Sequence, residues 1–190
     1  MMAWSSAAHC QASTRPLVPN ANLAKSPEVL RRQTLDALYD QLLQARDSET
    51  VTFLTEAIEK LWLDSGSHTV NLLMERALLA VNGQKLDQAI AILTAVTKIA
   101  PNYPEGWNQL AVAHFLKEDF DNALPPLIRA LDLEPRHFKA MEGLAVLMRE
   151  IGQKKSALKA FRRALELNPH LEQSHQAIQE LSREVEGQPI

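Results

Sequence analysis

The stretch Ala130-Leu131-Asp132-Leu133-Glu134-Pro135 is written again, almost letter for letter, as Ala164-Leu165-Glu166-Leu167-Asn168-Pro169. Each letter stands thirty-four positions from its counterpart, and the same step back from Pro135 reaches Pro101. The period runs through three units: Val70 to Tyr103, Pro104 to His137 and Phe138 to Leu171. Alanine recurs at the eighth place (Ala77, Ala111, Ala145) and at the twentieth (Ala89, Ala123, Ala157), and a large apolar residue at the twenty-fourth (Leu93, Leu127, Phe161). Small side chains at two fixed places let a pair of helices approach closely, and the large one fills the gap to the neighbouring unit. Proline at the thirty-second place ends the second helix, because it cannot continue the backbone bonding.

Outward from the repeats, the pattern stays helical. Leu35, Leu38 and Leu42 share one helix face, as do Val51, Leu54, Ile58 and Leu61, with Asp47 placed to cap the second of these segments. Residues 28–66 therefore read as a helical hairpin, a degenerate repeat or an N-terminal cap. Gly66 is placed to take the left-handed conformation that ends it, and Ser67 to cap the next helix. After the third unit, residues 172–190 hold a capping helix: Leu171, Ser174, Ile178 and Leu181 form one stripe, while Glu172, Gln176, Gln179, Glu180 and Arg183 face water. Pro125 and Pro126 fall inside the second helix of the middle unit, where proline removes a donor and crowds the preceding turn. A distorted start near Asn122 is expected there. The class is all-α.

Residues 1–27 differ in kind. No acid precedes Glu28, and Ser, Thr, Asn, Ala and Pro dominate, which reads as a flexible tail with an extended segment at Arg15–Asn20. The lone Cys10 has no second cysteine for an internal disulfide. No apolar run approaches the length of a membrane span, and the first dozen residues lack a secretory apolar stretch. The expected setting is soluble and cytoplasmic, or periplasmic if the beginning is a truncated export signal.

These 34-residue helix-turn-helix units resemble the tetratricopeptide repeat (TPR) family. Trp107, Leu110, Ala111, Ala123, Leu127, Ala130 and Pro135 match its pattern in the middle unit, and Leu144, Ala145, Ala157, Phe161, Ala164 and Pro169 in the third. The first unit departs from it: Arg76 replaces an apolar seventh residue, Val96 a small twenty-seventh, and Gly83 falls one place early. Looser packing is expected there. The resemblance implies a right-handed α-α superhelix over residues 67–171 whose first helices line a concave groove.

In relatives that groove takes an extended peptide or a partner helix, through the second, fifth, ninth, twelfth and thirteenth places. Carried over, these are Asn71, Met74, Leu78, Val81 and Asn82; Glu105, Asn108, Val112, Phe115 and Leu116; and Lys139, Glu142, Val146, Arg149 and Glu150. Met74, Leu78, Val81, Val112, Phe115 and Leu116 of the first two units form a floor suited to an amphipathic helix or hydrophobic peptide, and the third unit gives a charged rim. The competing reading is that the hairpin packs there and the floor is simply core. Relatives that hold chaperone tails are similar to one another in a carboxylate clamp, of which only Lys139 matches. Met74, Leu78, Gln109 and Gly143 stand at its other places.

Lys155, Lys159, Arg162 and Arg163 form a basic stripe on the second helix of the third unit, which could dock an acidic protein, RNA or a lipid head group. No aromatics interleave with it to stack on bases, so nucleic acid is disfavoured. With 20 Lys and Arg against 23 Asp and Glu, the chain has no overall field for nucleic acid either. The six histidines show no zinc-binding spacing, no glycine-rich loop could cradle a phosphate, and no serine has a nucleophile's context. No metal, cofactor or catalysis is expected. The sequence reads as a protein–protein adaptor, with binding through the stripe, or self-association in the groove, as alternatives.

Overall fold

The computed structural model describes residues 26–185 and 187; nearly all of the expected tail, including Cys10 and the segment at Arg15–Asn20, lies outside them. Nine helices and no strand are found among the described residues: α1 (Pro27–Gln44), α2 (Ser48–Leu63), α3 (His68–Asn82), α4 (Leu86–Ile99), α5 (Pro104–Leu116), α6 (Phe120–Leu133), α7 (Phe138–Glu150), α8 (Lys154–Leu167) and α9 (Glu172–Val185). Helices α3 to α8 form three antiparallel pairs in register with the sequence period. None of the nine is long and apolar enough to cross a membrane.

Local chemistry sets the boundaries. Ser26 caps α1 through the Val29 N–H, with Pro27 at the first turn, where its missing donor costs nothing. Asp47 accepts from the Thr50 N–H at 2.8 Å and Ser67 from the Val70 N–H, so both expected caps form. Gly66 has φ +75°, as its place at the end of the hairpin requires. The turns inside the three units reverse at one place each, on Gln84 (φ 56°), Glu118 (φ 61°) and Gly152 (φ 79°). Only the third supplies the glycine that this backbone favours. Gly83 has φ −83° and does not take that role.

The repeated small residues are where the helices touch. Ala77, Ala89, Ala111, Ala123, Ala145 and Ala157 are all at most 2% exposed, and Leu93, Leu127 and Phe161 are sealed beside them. Val96 is also fully buried, but its extra bulk is matched on the next helix by Gly106, where an added Cβ would stand 2.9 Å from Val96 Cγ1. The corresponding places at the next junction carry Ala130 and Ala140, both fully buried in one cluster. One junction thus uses large and none, the other small and small. Arg76 is exposed, and Leu72 and Leu79 on the same side of α3 are 48% and 70% exposed. No helix among the described residues covers that flank, and α3 and α4 approach each other less closely along their length than α5 and α6 or α7 and α8 do, in line with the looser packing expected of the first unit.

The two prolines do not delay α6: it begins at Phe120, with the Ala123 N–H bonded to the Asp119 carbonyl at 3.0 Å, and runs through Pro125 and Pro126 to Leu133, so of the two forms the expected distortion could take, a late start does not occur. The carbonyls deprived of partners are those of Asp121 and Asn122, both exposed residues that water can reach, which lowers the cost of the missing bonds. Asp119 secures the first turn by accepting from the Asn122 side-chain amide at 2.9 and 3.0 Å.

At the C-terminal end α9 lays Ser174, Ala177 and Leu181 on α7 and α8, and Glu172, Gln176, Gln179, Glu180 and Arg183 are exposed. The N-terminal hairpin does not cover α3. It folds back across the array toward the turn that opens the third unit, burying Leu35, Tyr39, Leu42, Leu54, Ile58 and Trp62 together with Phe138.

Candidate functional site

The site is shaped first by where the hairpin lands. Trp62 stacks on His137 at 3.8 Å between ring centroids, Arg136 pairs with Asp36 at 2.6 Å and covers the Tyr39 ring, and Lys139 pairs with Glu59 at 2.6 Å. The Tyr103 hydroxyl donates to the Leu63 carbonyl at 2.9 Å, and burial pushes its pKa up, so it stays a neutral donor. Tyr39 Oη and Trp62 Nε1 are buried and meet no partner at hydrogen-bond geometry among the described residues.

Beneath Trp62 lies a closed polar knot. His137 Nδ1 accepts from the Ala140 N–H and so caps α7, which leaves the ring proton on Nε2 to donate to Glu105 Oε2 at 2.7 Å. The same carboxylate accepts from Gln109 Nε2 at 2.6 Å and from Asn108 Nδ2. His137 is fully buried and Glu105 5% exposed. Every acceptor direction of Glu105 is engaged inside the protein, so it is a structural residue here, although its place suggested a groove contact.

The other expected groove residues divide. Asn71 clasps the preceding turn, accepting from the Ser65 N–H at 2.9 Å and donating to Asp64 at 3.0 Å. Met74 is 2% exposed in the core of the first unit, and Val81 packs against that core. Leu78 is half-buried, Leu116 is 50% exposed, and Arg149 reaches only its neighbour Glu150; none of the three lines the open cavity.

Six expected residues do come together. Asn108, Val112 and Phe115 on α5 face Lys139, Glu142 and Val146 on α7 across a cavity of about 320 Å³. Its floor continues through Leu127, and Gln173 of α9 also lines it. Gly143 keeps it open: a Cβ there would meet only Leu127, at 3.8 Å. Gly143, Leu127 and Gln173 were missed as lining residues. The first matters by lacking a side chain, the second belongs to a back helix, and the third to the cap. The rim is already partnered, Lys139 with Glu59 and Glu142 with the Ser174 hydroxyl at 2.6 Å, so the apolar floor offers more than the charges do.

On the opposite side, Lys155, Lys159, Arg162 and Arg163 of α8 are exposed. Lys154 beside them pairs with Glu184, and Arg163 with Glu166. No group of three His, Cys, Asp or Glu among the described residues could hold a metal ion.

The comparisons agree with this geometry. A tetratricopeptide repeat model matches residues 74–130 and 117–172. A TPR repeat-containing protein of Rhizobium etli is 30% identical over 171 residues, covering 90% of this chain and 82% of the relative. Among solved structures, the first TPR domain of Spaghetti (RPAP3) bound to an HSP90 peptide superposes with a TM-score of 0.60 at 22% identity, over 62% of this chain and 93% of that one. MamA (MSR-1) superposes with a TM-score of 0.55 at 20% identity over 84% of this chain and 88% of its own. At such identities the structures speak for the fold, while the repeat model and the Rhizobium relative speak for descent: the chain belongs to the tetratricopeptide repeat family.

Proposed function

We propose that the protein is an adaptor that holds a short apolar segment of a partner protein in the cavity between α5 and α7. The observation that carries this is a cavity between the first helices of the second and third units whose floor is apolar, with half-buried Val112, Phe115 and Val146 lying over the buried Leu127. About 320 Å³ suits one or two large side chains, with the side-chain carbonyl of Gln109, whose amide nitrogen Glu105 holds, at the edge to accept from the partner's backbone. The HSP90 peptide bound by the Spaghetti domain lends weight to peptide binding by this architecture. A carboxylate-tipped chaperone tail does not suit this chain, because Lys139 is engaged by Glu59 and Gln109 and Gly143 stand at two of the other clamp places.

A displayed library of random peptides tests the reading. Binders of the wild type should share an apolar anchor, and two variants should lose them: Phe115→Glu, which puts a charge on the floor, and Gly143→Leu, which fills the space. A Cβ at Gly143 meets only ordinary contacts and leaving glycine gains helix propensity, so unchanged circular dichroism is expected of Gly143→Leu and is checked beside the binding. Peptides that bind both variants as they bind the wild type would place recognition elsewhere.

A further inference from the structure

A second apolar trough lies on the outer side of the array, between α6 and α8, over α7. Leu124, Ile128, Met141, Leu144 and Met148 form it, at about 480 Å³, and none of its lining residues is shared with the α5–α7 cavity. Its charged edge is of one sign, since Lys159 and Arg163 line it and no acidic residue does. Lys155 extends that edge by one turn. Lys155 and Lys159 enter no ion pair among the described residues, and Arg163 holds only the exposed Glu166, a surface pair open to exchange. Thioether sulfurs favour aromatic rings, and methionine side chains adapt to what enters, so the trough suits an aromatic anchor flanked by acids.

The chain itself displays such a feature. Of the aromatic side chains among the described residues, only Phe53 stands largely in solvent, at 68% exposure. It projects from α2 with Glu49 one turn before it and Glu56 one turn after, both exposed. At the helical rise per residue, Glu49 and Glu56 lie about 10 Å apart, and Lys155 and Arg163 about 12 Å. We propose that the trough receives α2 of a second copy of the chain, with Phe53 entering beside Met141 and Met148 and the two glutamates set against the Lys155–Lys159–Arg163 edge.

The contact joins two different surfaces, one giving and another taking, so each copy carries both halves of it. The chain's own first 25 residues are the wrong occupant: they carry Arg15 and Lys25 and no acid. A flat lipid surface fits a hollow less well than a protruding side chain does. One ring and two or three exposed ion pairs make a small interface, so association in the micromolar range or weaker is expected, and weaker still in salt.

Sedimentation velocity of the full chain at rising concentration tests the proposal. The wild type should self-associate, and Phe53→Glu should weaken this by roughly tenfold or more, as loss of a central aromatic anchor does. A variant carrying Glu49→Lys and Glu56→Lys, and another carrying Lys155→Glu, Lys159→Glu and Arg163→Glu, should each associate poorly alone and bind one another when mixed. All these positions are exposed, so unchanged circular dichroism should show each fold intact. A wild type that stays monomeric throughout, a Phe53→Glu variant that associates undiminished, or a mixture that restores nothing would overturn the proposal. Flotation with phosphatidylserine vesicles that depends on Lys159 while the chain stays monomeric would assign the trough to lipid and overturn it equally.

Discussion

Replacing Gly106 by alanine tests the match between helices that closes the first junction. The new Cβ would stand 2.9 Å from Val96 Cγ1 and 3.1 Å from Tyr103 Cδ1. Carbon atoms settle at about 3.5–4.0 Å, so α4 and α5 must part by several tenths of an ångström in a fully packed region. Overpacking of this kind costs about 1–3 kcal/mol, against which alanine's better helix propensity returns about 1. The net expectation is a loss of ~0–2 kcal/mol. Val96→Ala alone removes two buried carbon groups and leaves part of their space empty, for a loss of ~2–3 kcal/mol. The double variant reproduces the alanine pairing found at Ala130 and Ala140, because the new Cβ fills part of the space that valine leaves. It should therefore lie only ~1 kcal/mol below the wild type, well short of the sum of the single losses. Urea titrations followed by circular dichroism, with a shared slope, give the three differences. Additivity within ~0.5 kcal/mol would show that the two side chains do not compete for the same space.

Three further outcomes are expected. Gln84→Gly and Glu118→Gly should each stabilise by ~0.5–1 kcal/mol in the same titration, since both residues hold a left-handed backbone that glycine adopts freely, while Gly152→Ala should destabilise. His137→Ala should cost ~3 kcal/mol or more by calorimetry, because it removes the α7 cap and the Trp62 stack and leaves Glu105 buried without its main partner. On acidification, the carboxyls of Asp47, Asp64 and Asp119 matter most. Thr50 hydrogen bonds hold Asp47 below its ordinary range, the Asn71 amide does so for Asp64, and the Asn122 amide for Asp119. Groups with a depressed folded-state pKa stabilise at neutral pH and lose that contribution as pH falls below about 4, so melting temperature should drop there. A Tm that holds level through that range would contradict those three bonds.

The repeat array was legible because its signal is periodic and local. A proline every thirty-four residues and alanines at two fixed places describe contacts inside one pair of helices and between neighbours, and the caps at Asp47 and Ser67 need only three residues each. What the sequence hid is long-range. Nothing near Trp62 or His137 says that they stack, since seventy-five residues separate them. For that reason the groove inferred by position included Glu105, which is in fact sealed beneath the hairpin. Arg76 was readable: the departure from the pattern falls on the exposed flank of the first pair, the one of the three whose helices are least closely joined. The prolines of α6 misled in another way, since the rule against them assumes carbonyls that water cannot reach.

A row of helix pairs joined only to their neighbours behaves as a soft spring, able to lengthen by opening every joint a little. Here a strap runs from the hairpin of α1 and α2 to the third pair, through Arg136 with Asp36, Lys139 with Glu59 and His170 with the Leu42 carbonyl. Pulling on the two ends should then meet a stiff regime followed by one abrupt release, rather than gradual give. Below that threshold the spacing of α5 and α7 is fixed, so whatever is held between them is gripped at constant width.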